Sequence, residues 1–122
     1  MRVVILPTEK KASDFAADFI EKFIARKNNS VLGLATGSSV LLTYDALIEK
    51  YNTGDLSFKK VTTFNLDEYV GLDPNHKQSY RHYMKQKLFN HIDISEKNIH
   101  IPECLDGDFE STCENYESKI KS

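Results

Sequence analysis

Apolar residues cluster along this chain in two alternating rhythms, short continuous runs and longer stretches spaced at three and four. RVVIL (residues 2–6), ended by Pro7, and VLGLA (31–35) are runs without polar alternation. Such runs predict strands buried on both faces. VTTFNL at the end of KKVTTFNL predicts a third strand, and NIHI (98–101) before Pro102 a short fourth. Between them, Ala12, Phe15, Ala16, Phe19, Ile20, Phe23 and Ile24 recur at helical spacing as one wide apolar stripe, with Thr8 placed to cap it. Leu41, Tyr44, Leu47, Ile48 and Tyr51 predict a second helix, stopped near Gly54. SYRHYMKQKLFNHI predicts a third, capped by Ser79. Phe109, Cys113, Tyr116 and Ile120 share one face of a fourth. The phenylalanines at 15, 19 and 23 are expected in the core.

Strands alternating with helices predict right-handed crossovers and a mainly parallel sheet with helices on both faces, an α/β fold of three layers. The 122 residues suit a single domain. The chain stops at the end of a helix where another strand is expected to follow, so residues 1–122 are expected to form the N-terminal part of a longer domain.

Composition removes several classes of function. Net charge is -2 with acids and bases interspersed, which predicts no nucleic-acid partner and no polybasic membrane surface. No apolar run approaches the roughly 20 residues of a membrane span, and the N-terminus lacks a signal-peptide pattern. Two cysteines, Cys104 and Cys113, form no framework, and the four histidines show no metal-ligand spacing. No metal is expected, and a reduced, cytoplasmic protein is.

Two segments carry candidate chemistry. LATGSS ends a strand, turns through small residues and opens a helix, so backbone N–H groups of Gly37, Ser38 and Ser39 and the hydroxyls of Thr36, Ser38 and Ser39 can approach an anion. Thr, Gly and Ser are also ordinary turn and cap residues. The segment has neither a Walker A lysine nor the Gly-x-Gly-x-x-Gly fingerprint. TFNLDEYVGL places Asp67 and Glu68 just past the third strand, on the sheet edge where open α/β folds bind ligands. Alone, the pair reads equally as a solvated turn. A phosphate cradle beside a carboxylate suits proton abstraction from a phosphorylated small molecule. The residues themselves leave the substrate open.

LGLATGSS, TYDALI, SFKKVTTFNLDEYVGL and QSYRHYMKQKLFNHIDI together resemble the N-terminal half of the glucosamine-6-phosphate deaminase family. The related 6-phosphogluconolactonases typically carry Asp-Glu-Arg at the acidic site, whereas Tyr69 follows Glu68 here. The resemblance implies a Rossmann-like fold of the deaminase/ribose-5-phosphate isomerase type. It implies cofactor-free conversion of glucosamine 6-phosphate and water to fructose 6-phosphate and ammonia in amino-sugar catabolism, a reaction expected to fall in the hydrolase class. Asp67 would be the enolisation base, with Glu68 and Tyr69 in support. Thr36, Gly37, Ser38 and Ser39 would hold the sugar phosphate. Val40 stands where many members have Pro, which removes no donor. The family's ring-opening Gly-His-Ile-Ala-Phe-Asn-Glu segment would lie beyond Ser122, so the 122 residues alone are expected to be inactive, and the full-length protein a possible homo-oligomer. A lactonase-type sugar-phosphate hydrolase and a non-catalytic sugar-phosphate sensor are the alternatives. Lactone hydrolysis would reveal the first, and a fused DNA-binding segment the second.

Overall fold

The computed structural model describes residues 1–103 and 107–122. Its sheet has three strands in sequence order, β1 (Val31–Leu34), β2 (Thr62–Asn65) and β3 (Ile99–His100). Both pairings are parallel, with Leu34 opposite Asn65 and Phe64 opposite His100. All three strands therefore end at one carboxyl edge. The loops at 35–39, 66–69 and 101–103 leave from that edge.

Among the described residues four helices complete the fold: α1 (Glu9–Arg26), α2 (Leu41–Asn52), α3 (Tyr80–Lys87) and α4 (Phe109–Lys121). Thr8 caps α1 by accepting from the Lys11 N–H at 3.2 Å, satisfying one of the orphan donors of a helix start. Ala17, Ile24, Tyr44, Leu47, Met84 and Leu88 come from α1, α2 and the α3 end and bury together with Val61 and Ile101. Leu32 and Leu34 pack against this cluster from β1. Because side chains alternate across a strand, Gly33, Phe64 and His100 point to the other face. There His100 stacks on Phe64, centroids 4.5 Å apart, and Tyr116 of α4 meets Phe64 edge-on at 5.9 Å. Helices thus lie on both faces of the parallel sheet. Lys50 joins α2 to α1 through Asp18 at 2.7 Å and Glu21 at 2.8 Å. Among the described residues no helix is long and apolar enough to cross a membrane.

Four expectations are corrected. Residues 2–6 form no strand. Val3 and Ile5 are 70% and 90% exposed, because the apolar run finds no ladder to join among the described residues. The stripe of α1 divides: Ala17 and Ile24 are buried, whereas Phe15, Phe19 and Phe23 are exposed. Only the side of α1 facing α2 is covered. β1 is likewise half open, with Val31 exposed and free space where a Gly33 side chain would stand. On α4 only Tyr116 of the expected apolar face is engaged, while Phe109, Cys113 and Ile120 stay exposed. Cys104 lies outside the described residues.

Candidate active site at the carboxyl edge of the sheet

The loop after β1 turns sharply at Gly37, whose φ of 98° is the left-handed conformation that glycine adopts without steric cost. Ser38–Val40 form one 3₁₀ turn that runs directly into α2, so the start of that helix faces the edge. Thr36 is half-buried, and Gly37, Ser38 and Ser39 are exposed.

Asn65, fully buried, closes β2 against this loop, its side-chain amide donating to the Leu34 carbonyl at 3.1 Å. Two residues on, Asp67 is exposed at the edge. Glu68 turns instead to α3. Its Oε1 accepts from the N–H groups of Tyr69 at 2.9 Å and Tyr80 at 2.8 Å, and its Oε2 from the Arg81 N–H at 2.9 Å. A carboxylate at a helix N-terminus satisfies orphan donors and complements the helix dipole. Ser79 completes the cap, accepting from the His82 N–H at 3.0 Å while donating to the Pro74 carbonyl at 2.9 Å.

Tyr80 packs on the acidic turn. Its ring lies against Tyr69 with centroids 4.7 Å apart, and the two hydroxyls are 3.3 Å from each other. Its phenol is raised above the ordinary value, first by that hydrogen bond and then by partial burial and the charges of Tyr69 and Asp67. The Thr36 side chain acts in the opposite direction.

Further tyrosines hold the edge itself, and the sequence reading missed them. Tyr44 donates to the Ala35 carbonyl, and Tyr83 to the Gly37 carbonyl at 2.6 Å. The Tyr116 hydroxyl sits 2.6 Å from the Asn65 carbonyl and 2.9 Å from that of His100. Burial pushes both Tyr44 and Tyr116 up to about 12. The available signal was general: a tyrosine on an apolar helical face brings a hydroxyl that needs a partner. Which carbonyl it would find depends on tertiary contact.

An open parallel α/β sheet with a small-residue loop and a carboxylate at adjacent strand ends defines a domain of the doubly wound class, in which ligands bind at that edge. Residues 8–122 match the family model described as glucosamine-6-phosphate isomerases/6-phosphogluconolactonase, and the chain belongs to that family. It is 47% identical over 121 residues to a glucosamine-6-phosphate deaminase of Thermoanaerobacter sp. (strain X514), covering 99% of this chain and 48% of that protein. A solved monomeric glucosamine-6-phosphate deaminase superposes with a TM-score of 0.94 at 39% identity, over 99% of this chain and 50% of that one. A 6-phosphogluconolactonase of Thermotoga maritima superposes at 0.73 with 23% identity, covering 97% of this chain and 52% of that one, a likeness of fold alone. The chain thus spans about half the length of the relatives it matches. The expected hydrolase class is corrected by these names: the close relatives are deaminases within a family described by isomerases, and the hydrolytic lactonase is the distant one.

Proposed function

We propose that these residues form the N-terminal portion of a glucosamine-6-phosphate deaminase domain, converting glucosamine 6-phosphate to fructose 6-phosphate and ammonia during amino-sugar breakdown. The likeness to relatives of that name over almost the whole chain supports the substrate. The observation that carries the mechanism is the placement of the Thr36–Ser39 loop and Asp67 at adjacent strand ends of one carboxyl edge, where Leu34 lies opposite Asn65. An anion held by the Thr36–Ser39 loop would fix one end of the sugar, through backbone N–H groups at the start of a helix. The Asp67 carboxylate, exposed and free to reach substrate, would take the proton from carbon-2 of the opened sugar. Anchoring the substrate at its phosphate raises the effective concentration of that carbon at the base. Glu68 would serve indirectly, because its two oxygens are occupied by backbone donors of α3 and the acidic turn. Ring opening and the remaining phosphate contacts belong to a second segment of the domain, so residues 1–122 alone should be inactive. A cytoplasmic location accords with Cys113 being a free, exposed thiol.

The test is ammonia release from glucosamine 6-phosphate by the full-length gene product. Asp67→Asn should lower kcat by about two to four orders of magnitude, the scale of a lost general base, while sugar-phosphate affinity persists. Near-normal turnover in that variant would remove Asp67 from the role of base. Absence of ammonia release by the wild type would remove the reading altogether.

A further inference from the structure

Tyr83 lies one turn into α3, yet its hydroxyl reaches across to the Gly37 carbonyl of the loop after β1 at 2.6 Å. Its ring packs against the core cluster, so the hydroxyl is delivered from a supported position. The bond falls at the one loop residue with a left-handed backbone, φ 98°. A trans peptide holds its C=O and the next N–H antiparallel. Fixing the Gly37 carbonyl toward α3 therefore fixes the Ser38 N–H in the opposite direction. Tyr44 acts in the same way two peptide planes earlier, since its bond to the Ala35 carbonyl sets the direction of the Thr36 N–H.

The start of α3 is tied to the acidic turn, because Glu68 accepts from the N–H groups of Tyr80 and Arg81. A single two-turn helix thus touches both candidate segments, Glu68 at its first residues and Gly37 through Tyr83. We propose that Tyr83 is a positioning residue that orients the Ser38 N–H of the phosphate-binding loop and, through α3, sets that loop's distance from Asp67. This rests on the deaminase reading of the loop and of Asp67. Tyr83 touches backbone and not substrate, so its loss should loosen phosphate anchoring more than it slows the proton transfer.

The experiment measures KM and kcat for glucosamine 6-phosphate in the full-length gene product. Tyr83→Phe keeps the ring and removes only the hydroxyl. It should raise KM about three- to tenfold, the range one ordinary hydrogen bond supports, with a smaller change in kcat and a melting temperature close to wild type. Tyr83→Leu should raise KM at least as much and also lower the melting temperature. Tyr51→Phe, which removes a hydroxyl from α2 away from the loop, should change neither constant. If Tyr83→Phe matches wild type in KM while Tyr83→Leu does not, the ring matters only for packing and the proposal falls, with the deaminase reading intact. If the wild type releases no ammonia, that reading falls and takes the proposal with it.

Discussion

A buried phenol that donates to a carbonyl resists ionisation, because the phenolate would lose both its solvent and its bond. Tyr44 is 2% exposed and its hydroxyl closes the Ala35 carbonyl, while Tyr116 closes the ends of β2 and β3. Burial raises each from an ordinary value of 10.0 to about 12. The unfolded chain then loses these protons first as pH rises, so the stability they contribute is complete below about 10 and is lost through about 12. Denaturant unfolding should accordingly show a steep alkaline decline across that window. Tyr44→Phe and Tyr116→Phe should each be less stable at neutral pH and show a shallower decline above pH 10. An unchanged alkaline slope in both variants would mean that these hydroxyls do not stay protonated in the fold.

Among the elements, α3 shows how local chemistry and tertiary contact divide the work. Its N-terminus has two caps: Ser79, adjacent in sequence, and Glu68, eleven residues before it. The first was legible, since a serine before a helical pattern is a known start signal. The second was not, because nothing in the spacing of Glu68 says that the intervening 70–79 loop folds back to bring Tyr80 and Arg81 to it. The same division runs through the strands. VLGLA, TTFN and the short NIHI segment were readable because their apolar or β-branched runs end at turn residues. RVVIL has the same signal and forms no strand, since a ladder needs a partner that local pattern cannot supply. The loop at 36–39 and the acidic pair at 67–68 were both located from their place after strands, whereas the tyrosines that fix them required knowing which helix crosses which edge. The two caps should separate experimentally. Ser79→Ala should cost about 1 kcal/mol, the usual loss of an N-cap, and leave Asp67 where it is. Glu68→Ala removes a charged acceptor of three backbone donors and should cost about 1.5 to 3 kcal/mol, the scale of bonds to an ionised group. It should also disorder the acidic turn, visible as loss of amide protection at Tyr69, Tyr80 and Arg81 in hydrogen exchange. Equal protection in wild type and Glu68→Ala would show that the bridge does not hold α3.

Across the whole molecule the apolar surface is unevenly covered. The side formed by α1, α2 and α3 over the sheet encloses Leu47 and Ala17 at zero exposure. Elsewhere Phe19, Val31, Val3 and Ile5 are 62%, 57%, 70% and 90% exposed, with Phe15 and Phe23 beside Phe19 on the same helix. Exposed apolar side chains scattered singly are ordinary on a protein surface, but a phenylalanine row on one helix is an adhesive stripe, and the exposed β1 edge adds a second apolar exposure. Net charge of only -2 offers little repulsion against association. The isolated 122-residue chain should therefore bind a hydrophobic dye such as ANS in its folded state and self-associate with rising concentration. Phe19→Ser combined with Val31→Ser should reduce both effects while leaving the melting temperature within a few degrees, because neither side chain contributes a filled core position. Leu47→Ala should do the reverse, lowering stability by about 2 to 5 kcal/mol as a buried cavity forms, with no relief of association. If the Phe19/Val31 double variant instead unfolds like Leu47→Ala, those residues are packed in solution and the open face is closed by self-contact within the monomer. Dye binding that the double variant abolishes without loss of stability would locate the adhesive surface on α1 and the outer edge of β1.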